Sequence, residues 1–158
     1  MGKANYLLIK NNAYKYYKQI KRVYCPHLKC YVRYNSKGFW HIIYRSEGKK
    51  REAQAQLLRF QLVPKTIKLL NLTHTIQEYD SITIESTVTD HKSKVKKLVK
   101  TQFFGYIAII DGWKIKVIVK RVGNGNPFFW SVIPNWITNN KRDSLKKFQN
   151  FKGDLNHD

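Results

Sequence analysis

Residues 101–122, TQFFGYIAIIDGWKIKVIVKRV, decide the architecture. Two runs rich in β-branched and aromatic residues flank Asp111-Gly112, the strongest short hairpin signal in the chain. A two-residue turn there pairs Ile110 with Trp113, Ala108 with Ile115, Tyr106 with Val117 and Phe104 with Val119. Directly opposed residues share a face, so this face is wholly apolar and is expected to pack on helices. The other face pairs Ile109 with Lys114, Ile107 with Lys116 and Gly105 with Ile118, with Lys120 beyond. Its charges are all positive, and it is expected to stand open to a polyanion.

Outward from this hairpin the pattern continues as strands. GNGNP at 123–127 is a turn, and FFWSVIPNW at 128–136 reads as a last strand ended by Pro134. TIQEYDSITIEST at 75–87 alternates like one strand or two short ones, and HKSKVKKLVK at 91–100 is a charge run suited to a solvated hairpin arm or loop. The first half is different. Tyr14, Tyr17 and Ile20 make a weak helical stripe, and KCYVRYN at 29–35 is short and β-rich. Ser36 can cap a short helix, KGFWHIIYR. REAQAQLLRF at 51–60 is built of helix formers, and Pro64 suits the first turn of a separate helix, PKTIKLLNL. The expectation is an α+β domain over 1–138, with N-terminal helices (about 1–72) packed on a four-stranded antiparallel meander (about 73–138). A polar tail is expected over 139–158.

Charge narrows the function. Thirty Lys and Arg stand against ten Asp and Glu, a net charge of +20, while aromatics make up 14% of residues. That is too aromatic for a disordered basic tail and cationic enough to draw polyanions from a distance. Nucleic acid, an anionic membrane and an acidic protein are the candidate partners. Membrane insertion is not expected, since the longest apolar run, YIAII at 106–110, is far below the roughly 20 residues that span a bilayer. Without a secretory hydrophobic stretch near its start, the chain reads as cytoplasmic. Cys25, His27 and Cys30 supply three of four zinc ligands but no fourth in a matching motif, so no metal or cofactor is expected. The cysteines read as small hydrophobes beside a strand, and a disulfide is not expected in a reducing compartment.

RNA can be cleaved without a metal when a base takes the 2′-OH proton, an acid protonates the leaving oxygen and cations hold the phosphate. His41 is the candidate base. Arg45, four residues on, would share its helix face, with Arg51 and Arg59 on following turns. Lys114, Lys116, Lys120, Arg121 and Trp130 are candidates to hold phosphates and unstacked bases of a single-stranded RNA.

KIKVIVKRVGNGNPFFWSVIPNW, preceded by FFGYIAIIDG, resembles the C-terminal part of the barnase–EndoU–colicin–RelE-like (BECR fold) nucleases associated with phages and mobile elements. VYCPHLKCYVRYNSKGFWHIIYR and QLLRFQLVP resemble their helical half, so the similarity spans roughly 22–138. The resemblance implies helices before a four-stranded antiparallel sheet and a toxin-like, metal-independent ribonuclease. Its catalytic residues would be His41, Arg45, Arg59, Lys116, Lys120 and Ser131, acting on tRNA or ribosomal RNA, and an acidic antitoxin or immunity protein would restrain it. Relatives often carry His at the place of Phe128 and Arg at that of Lys120. A chain lacking that histidine could bind RNA, or dock on a ribosome, without cutting.

Overall fold

The computed structural model describes residues 2–134, so Trp136 and the expected tail at 139–158 lie outside the described residues. Three helices, α1 (Lys3–Ile20), α2 (Ser36–Ile43) and α3 (Ala53–Leu72), pack on a sheet of six strands. The strands are β1 (Arg22–Cys25), β2 (Cys30–Arg33), β3 (Glu78–Asp90), β4 (Ser93–Ile110), β5 (Trp113–Val122) and β6 (Phe128–Pro134). Their spatial order is β1-β2-β6-β5-β4-β3.

The class is α+β, but the sheet is not the four-stranded antiparallel meander expected. Hairpin β1–β2 joins it through a parallel bridge between Arg33 and Phe128, which makes the sheet six-stranded and mixed. β1 alternates exposed Arg22 and Tyr24 with buried Val23 and Cys25, and four residues were too few for that period to stand out.

The central hairpin has the expected register from Ile110–Trp113 to Phe104–Val119. Asp111 and Gly112 have φ of 50° and 78°, both in the left-handed region that a two-residue turn matching strand twist requires. Lys68 and Lys65 of α3 reach the Asp111 carboxylate at 2.9 and 3.3 Å, fastening the turn to the helix layer and holding that carboxyl below its ordinary value. Phe104, Tyr106, Ile115, Val117 and Val119 form the sheet side of the core.

Helix α3 is continuous where two helices were expected, with Pro64 inside it. An internal proline forfeits a backbone hydrogen bond at a cost of about 3 kcal/mol. Leu62, Val63, Leu69 and Leu70, on both sides of the proline, are all buried, and that packing holds the helix together across it. The Thr66 hydroxyl donates to the Val63 carbonyl at 2.6 Å within the same turn.

The close approach of α2 to β6 fixes the rest. Asn35, not Ser36, caps α2, its side chain accepting from Gly38 N at 3.2 Å. A Cβ built on Gly38 would lie 2.3 Å from the Phe129 carbonyl oxygen and 2.5 Å from the Tyr17 hydroxyl, distances no side chain tolerates. Only glycine lets the helix lie on the β6 backbone. Around this contact Phe129 stacks on Tyr34 at 4.9 Å between ring centroids, and Phe39 stacks on Phe60 at 5.8 Å. The Tyr17 hydroxyl donates to the Asn35 carbonyl at 2.7 Å. Burial pushes the Tyr17 and Tyr34 phenols up, so both keep their protons. Gly38→Ala is therefore expected to cost about 1–3 kcal/mol, read as a lower denaturation midpoint at unchanged slope; a variant as stable as the parent would show that α2 can shift freely.

Candidate functional site

Strand β6 carries one extra residue against β5. Val119 pairs with Phe129 and Ile118 with Ser131, leaving Trp130 unopposed in a bulge. Phe129 and Val132 both face the main core, so Trp130 and Ser131 take up two positions where a regular strand has one. Trp130 emerges on the second face of the sheet, beside Phe103 and Ile118.

Helix α2 meets this bulge. The His41 ring stacks on Trp130 with centroids 4.0 Å apart and planes inclined by 25°. The Lys120 ammonium lies 4.0 Å from the Trp130 ring and 5.5 Å from Phe103. Phe128 meets Trp130 edge-on at 6.1 Å, with the Lys37 ammonium 5.7 Å from the Phe128 ring. Lys37, His41, Lys120, Phe128 and Trp130 wall a pocket of about 370 Å³, which Ser36, Trp40, Tyr44, Arg45, Ser46 and Val122 complete. His41 is 5% exposed, and its Nε2 lies 3.3 Å from the Ser46 hydroxyl. Burial, and secondarily Lys37, holds the Lys120 ammonium below the ordinary lysine value of 10.5.

His41, Arg45, Lys120 and Trp130 thus meet at one pocket, but Arg45 does so by another route than expected. The helix ends at Ile43, and Tyr44 takes an extended conformation. Arg45 lies in the following loop, where its N donates to Lys49 O at 2.8 Å and its carbonyl accepts from Gly48 N at 2.9 Å. The one-turn relation to His41 does not exist.

Other candidates stand elsewhere. The open row of cations on β5 is not found, because Lys116 is 4% exposed and Ile118 is fully buried. Lys116 pairs with Glu78 of β3 at 3.1 Å, reaching diagonally across β4, where Ile107 opposes Lys116 and Gly105 opposes Glu78. Ser131 is fully buried. Arg51 is buried and donates through Nε to the His41 carbonyl at 3.3 Å, so it supports the helix rather than lining the pocket. Arg59 is buried on α3, with Nη1 donating to Ala55 O at 3.4 Å. Arg121 lies on the core side of β5 and reaches the Cys30 sulfur at 3.9 Å. Lys114 sits six residues from Lys120, about 20 Å along the strand.

Lys37, Trp40, Tyr44 and Ser46 also line the pocket, though none is among the candidates named from the sequence. Trp40 and Tyr44, four apart on either side of His41, carried a findable signal, and their rings lie 5.8 Å apart at the pocket. Trp40 is 52% exposed. Cys25 and Cys30 are free, opposed across the β1–β2 hairpin, with Cys25 buried and its thiol pushed up by that burial. Among the described residues no cluster of three His, Cys, Asp or Glu could hold a metal, and no helix is long and apolar enough to cross a membrane. Compared with known protein families, curated proteins and solved structures, the chain matches none.

Two consequences are measurable. Lys116→Ala is expected to leave the half-buried Glu78 without its ammonium partner and to cost about 3 kcal/mol of stability, read as a lower denaturation midpoint. A variant as stable as the parent would show that the Lys116–Glu78 pair contributes nothing to the fold. The unfolded chain holds the Lys120 proton more tightly than the folded one. Stability therefore rises with pH between the lowered Lys120 value and 10.5. Denaturation curves of Lys120→Met should lack that rise, and a parallel pH profile in the two proteins would contradict the burial of this charge.

Proposed function

We propose that the chain is a metal-independent endoribonuclease whose reaction takes place in the pocket between α2 and the β6 bulge. The observation that carries this reading is the meeting of His41, Lys120 and Trp130 within one aromatic, cationic cavity. A nucleotide places a base and a phosphate side by side, and the cavity offers matching groups. Trp40 and Tyr44, which line it, supply aromatic rings for an unstacked base, and Lys37 and Arg45 supply cations for the phosphate.

In the proposed step, His41 Nε2 accepts the 2′-OH proton while that oxygen attacks the adjacent phosphorus. The bond to the 5′-oxygen of the next nucleotide breaks, and Lys120 gives that oxygen a proton. The products are a 2′,3′-cyclic phosphate and a free 5′-hydroxyl. The Ser46 hydroxyl, 3.3 Å from Nε2, stands where the substrate hydroxyl would have to be, so it is displaced or turned on binding. A lysine whose burial favours the neutral form releases its proton more readily, which suits an acid role. Toxin-like action and an acidic antitoxin extend this reading by resemblance alone.

A second reading has its own support. His41 is nearly covered and lies flat on Trp130, an arrangement that also suits a rigid RNA-binding pocket without chemistry. Incubation with total RNA in EDTA separates the two. Cleavage with cyclic phosphate ends is expected, and His41→Ala should lower the rate by about 10²–10⁴-fold while leaving RNA affinity near that of the parent. Intact RNA at high concentrations of a folded, RNA-binding protein would leave the binding reading standing.

A further inference from the structure

Strands β3 and β4 outrun the sheet. The last residue of β4 to pair with β5 is Thr101, opposite Val122. Beyond it, eight cross-strand pairs, from Thr83–Lys100 to Asp90–Ser93, continue as a two-stranded ribbon. At about 3.4 Å per residue the ribbon is roughly 27 Å long. Its tip is the turn His91-Lys92, with φ of 46° and 70°. Two strands alone are marginally stable in water, so the ribbon adds reach rather than core.

One face of the ribbon repeats a chemical unit. Lys94 opposes Thr89, Lys96 opposes Thr87 and Lys100 opposes Thr83, and all six residues are exposed. Glu85 opposite Leu98 interrupts the row, and Leu98 is 77% exposed. Asp90 is held by Lys97 at 2.8 Å. Lys94, Lys96 and Lys100 make no ion pair among the described residues. Same-face neighbours on a strand recur about every 6.8 Å. Each unit offers an ammonium and a hydroxyl side by side, and both donate to phosphate oxygens. Two adjacent cation–hydroxyl pairs and a third two steps on, all on one face and spaced by multiples of the strand repeat, suit the regular phosphates of a nucleic acid better than the irregular carboxylates of an acidic protein.

The root of the ribbon adjoins the pocket. Gly123 N donates to the Lys100 carbonyl at 2.7 Å, and Val122, which lines the pocket, sits opposite Thr101. The lysine row lies on the face of β4 opposite Phe103, so a strand seated in the pocket must pass the sheet edge to reach it.

From these observations we infer that the β3–β4 ribbon is a second RNA-binding element, in which Lys94, Lys96 and Lys100 with their paired threonines hold the phosphate backbone of an RNA longer than the pocket accommodates. The inference rests on the chain acting on RNA, and it deepens that reading by naming long RNA rather than a short oligonucleotide as the substrate class.

The test uses 2′-O-methyl RNA, which cannot be cut by 2′-OH attack, so binding is read apart from cleavage. Affinity is measured by fluorescence anisotropy across a salt series, for an unstructured RNA of tens of nucleotides and for a tetranucleotide. Lys94/Lys96/Lys100→Ser should flatten the log–log salt slope on the long RNA by about 2, at roughly 0.7 per phosphate contact on a single strand. Tetranucleotide binding should be unchanged, and Lys94/Lys96/Lys100→Arg should keep the parental slope. An unchanged slope on the long RNA, an equal loss on both RNAs, or displacement of the long RNA by polyglutamate as readily as by unlabelled RNA would overturn the inference. Should the parent protein prove unable to cut RNA while the serine variant still loses slope, the cleavage reading falls and the ribbon stands.

Discussion

The contact between Gly38 of α2 and the backbone of Phe129 is the constraint on which the molecule depends. A helix can approach a strand this closely only where it has no side chain, and the nearest atoms are a carbonyl oxygen and a buried tyrosine hydroxyl, neither of which can yield. The consequences run in two directions. On the core side, Phe129 is locked between Tyr34 and Tyr17, with Phe39 and Phe60 stacked nearby. On the other side, one residue beyond Phe129, the bulge turns Trp130 out to meet His41, which lies three residues beyond Gly38. Packing and site geometry thus share a single fulcrum.

The bulge solves a problem of phase. A regular strand would send Trp130 and Val132 to the same face, and Val132 belongs to the core. The extra residue separates them, so the core keeps Phe129 and Val132 while Trp130 turns to the second face. The cations around it are then in conflict with their surroundings. Lys116 settles the conflict by pairing with Glu78 in the interior. Lys120 lies against Trp130 and Phe103, with another cation, Lys37, acting on it. Burial thus sets Lys120, at the pocket, apart from Lys116, whose charge is met by a carboxylate.

Some of this was legible from the residues. Asp111-Gly112 admits only one short turn, so the register of β4 on β5 followed pair by pair. What was lost was mostly tertiary. Pro64 reads as a helix start, and only buried residues on both sides keep α3 whole. Arg45 looks like the fourth residue after a histidine on a helix until Tyr44 ends that helix. Lys116 reads as a surface charge because its partner, Glu78, lies 38 residues away on a strand two positions across the sheet. The pocket joins residues 36–46 to 120–130, and no local period could reveal that Trp40 and Trp130 serve one cavity. Charge excess pointed toward polyanions from the outset, but not to the exposed lysine–threonine row, which exists only once two strands are in register.

RNA is proposed to be engaged where His41, Lys120 and Trp130 meet. The most direct test of that proposal is an NMR titration of the folded protein with a short 2′-O-methyl oligonucleotide, in which no linkage can be cut by 2′-OH attack. The Trp130 indole N–H and the His41 ring resonances are expected to move together on binding, with the backbone amides of α2 and the 120–130 region following. Saturable binding that leaves His41 and Trp130 unmoved, while resonances of another face shift, would contradict it.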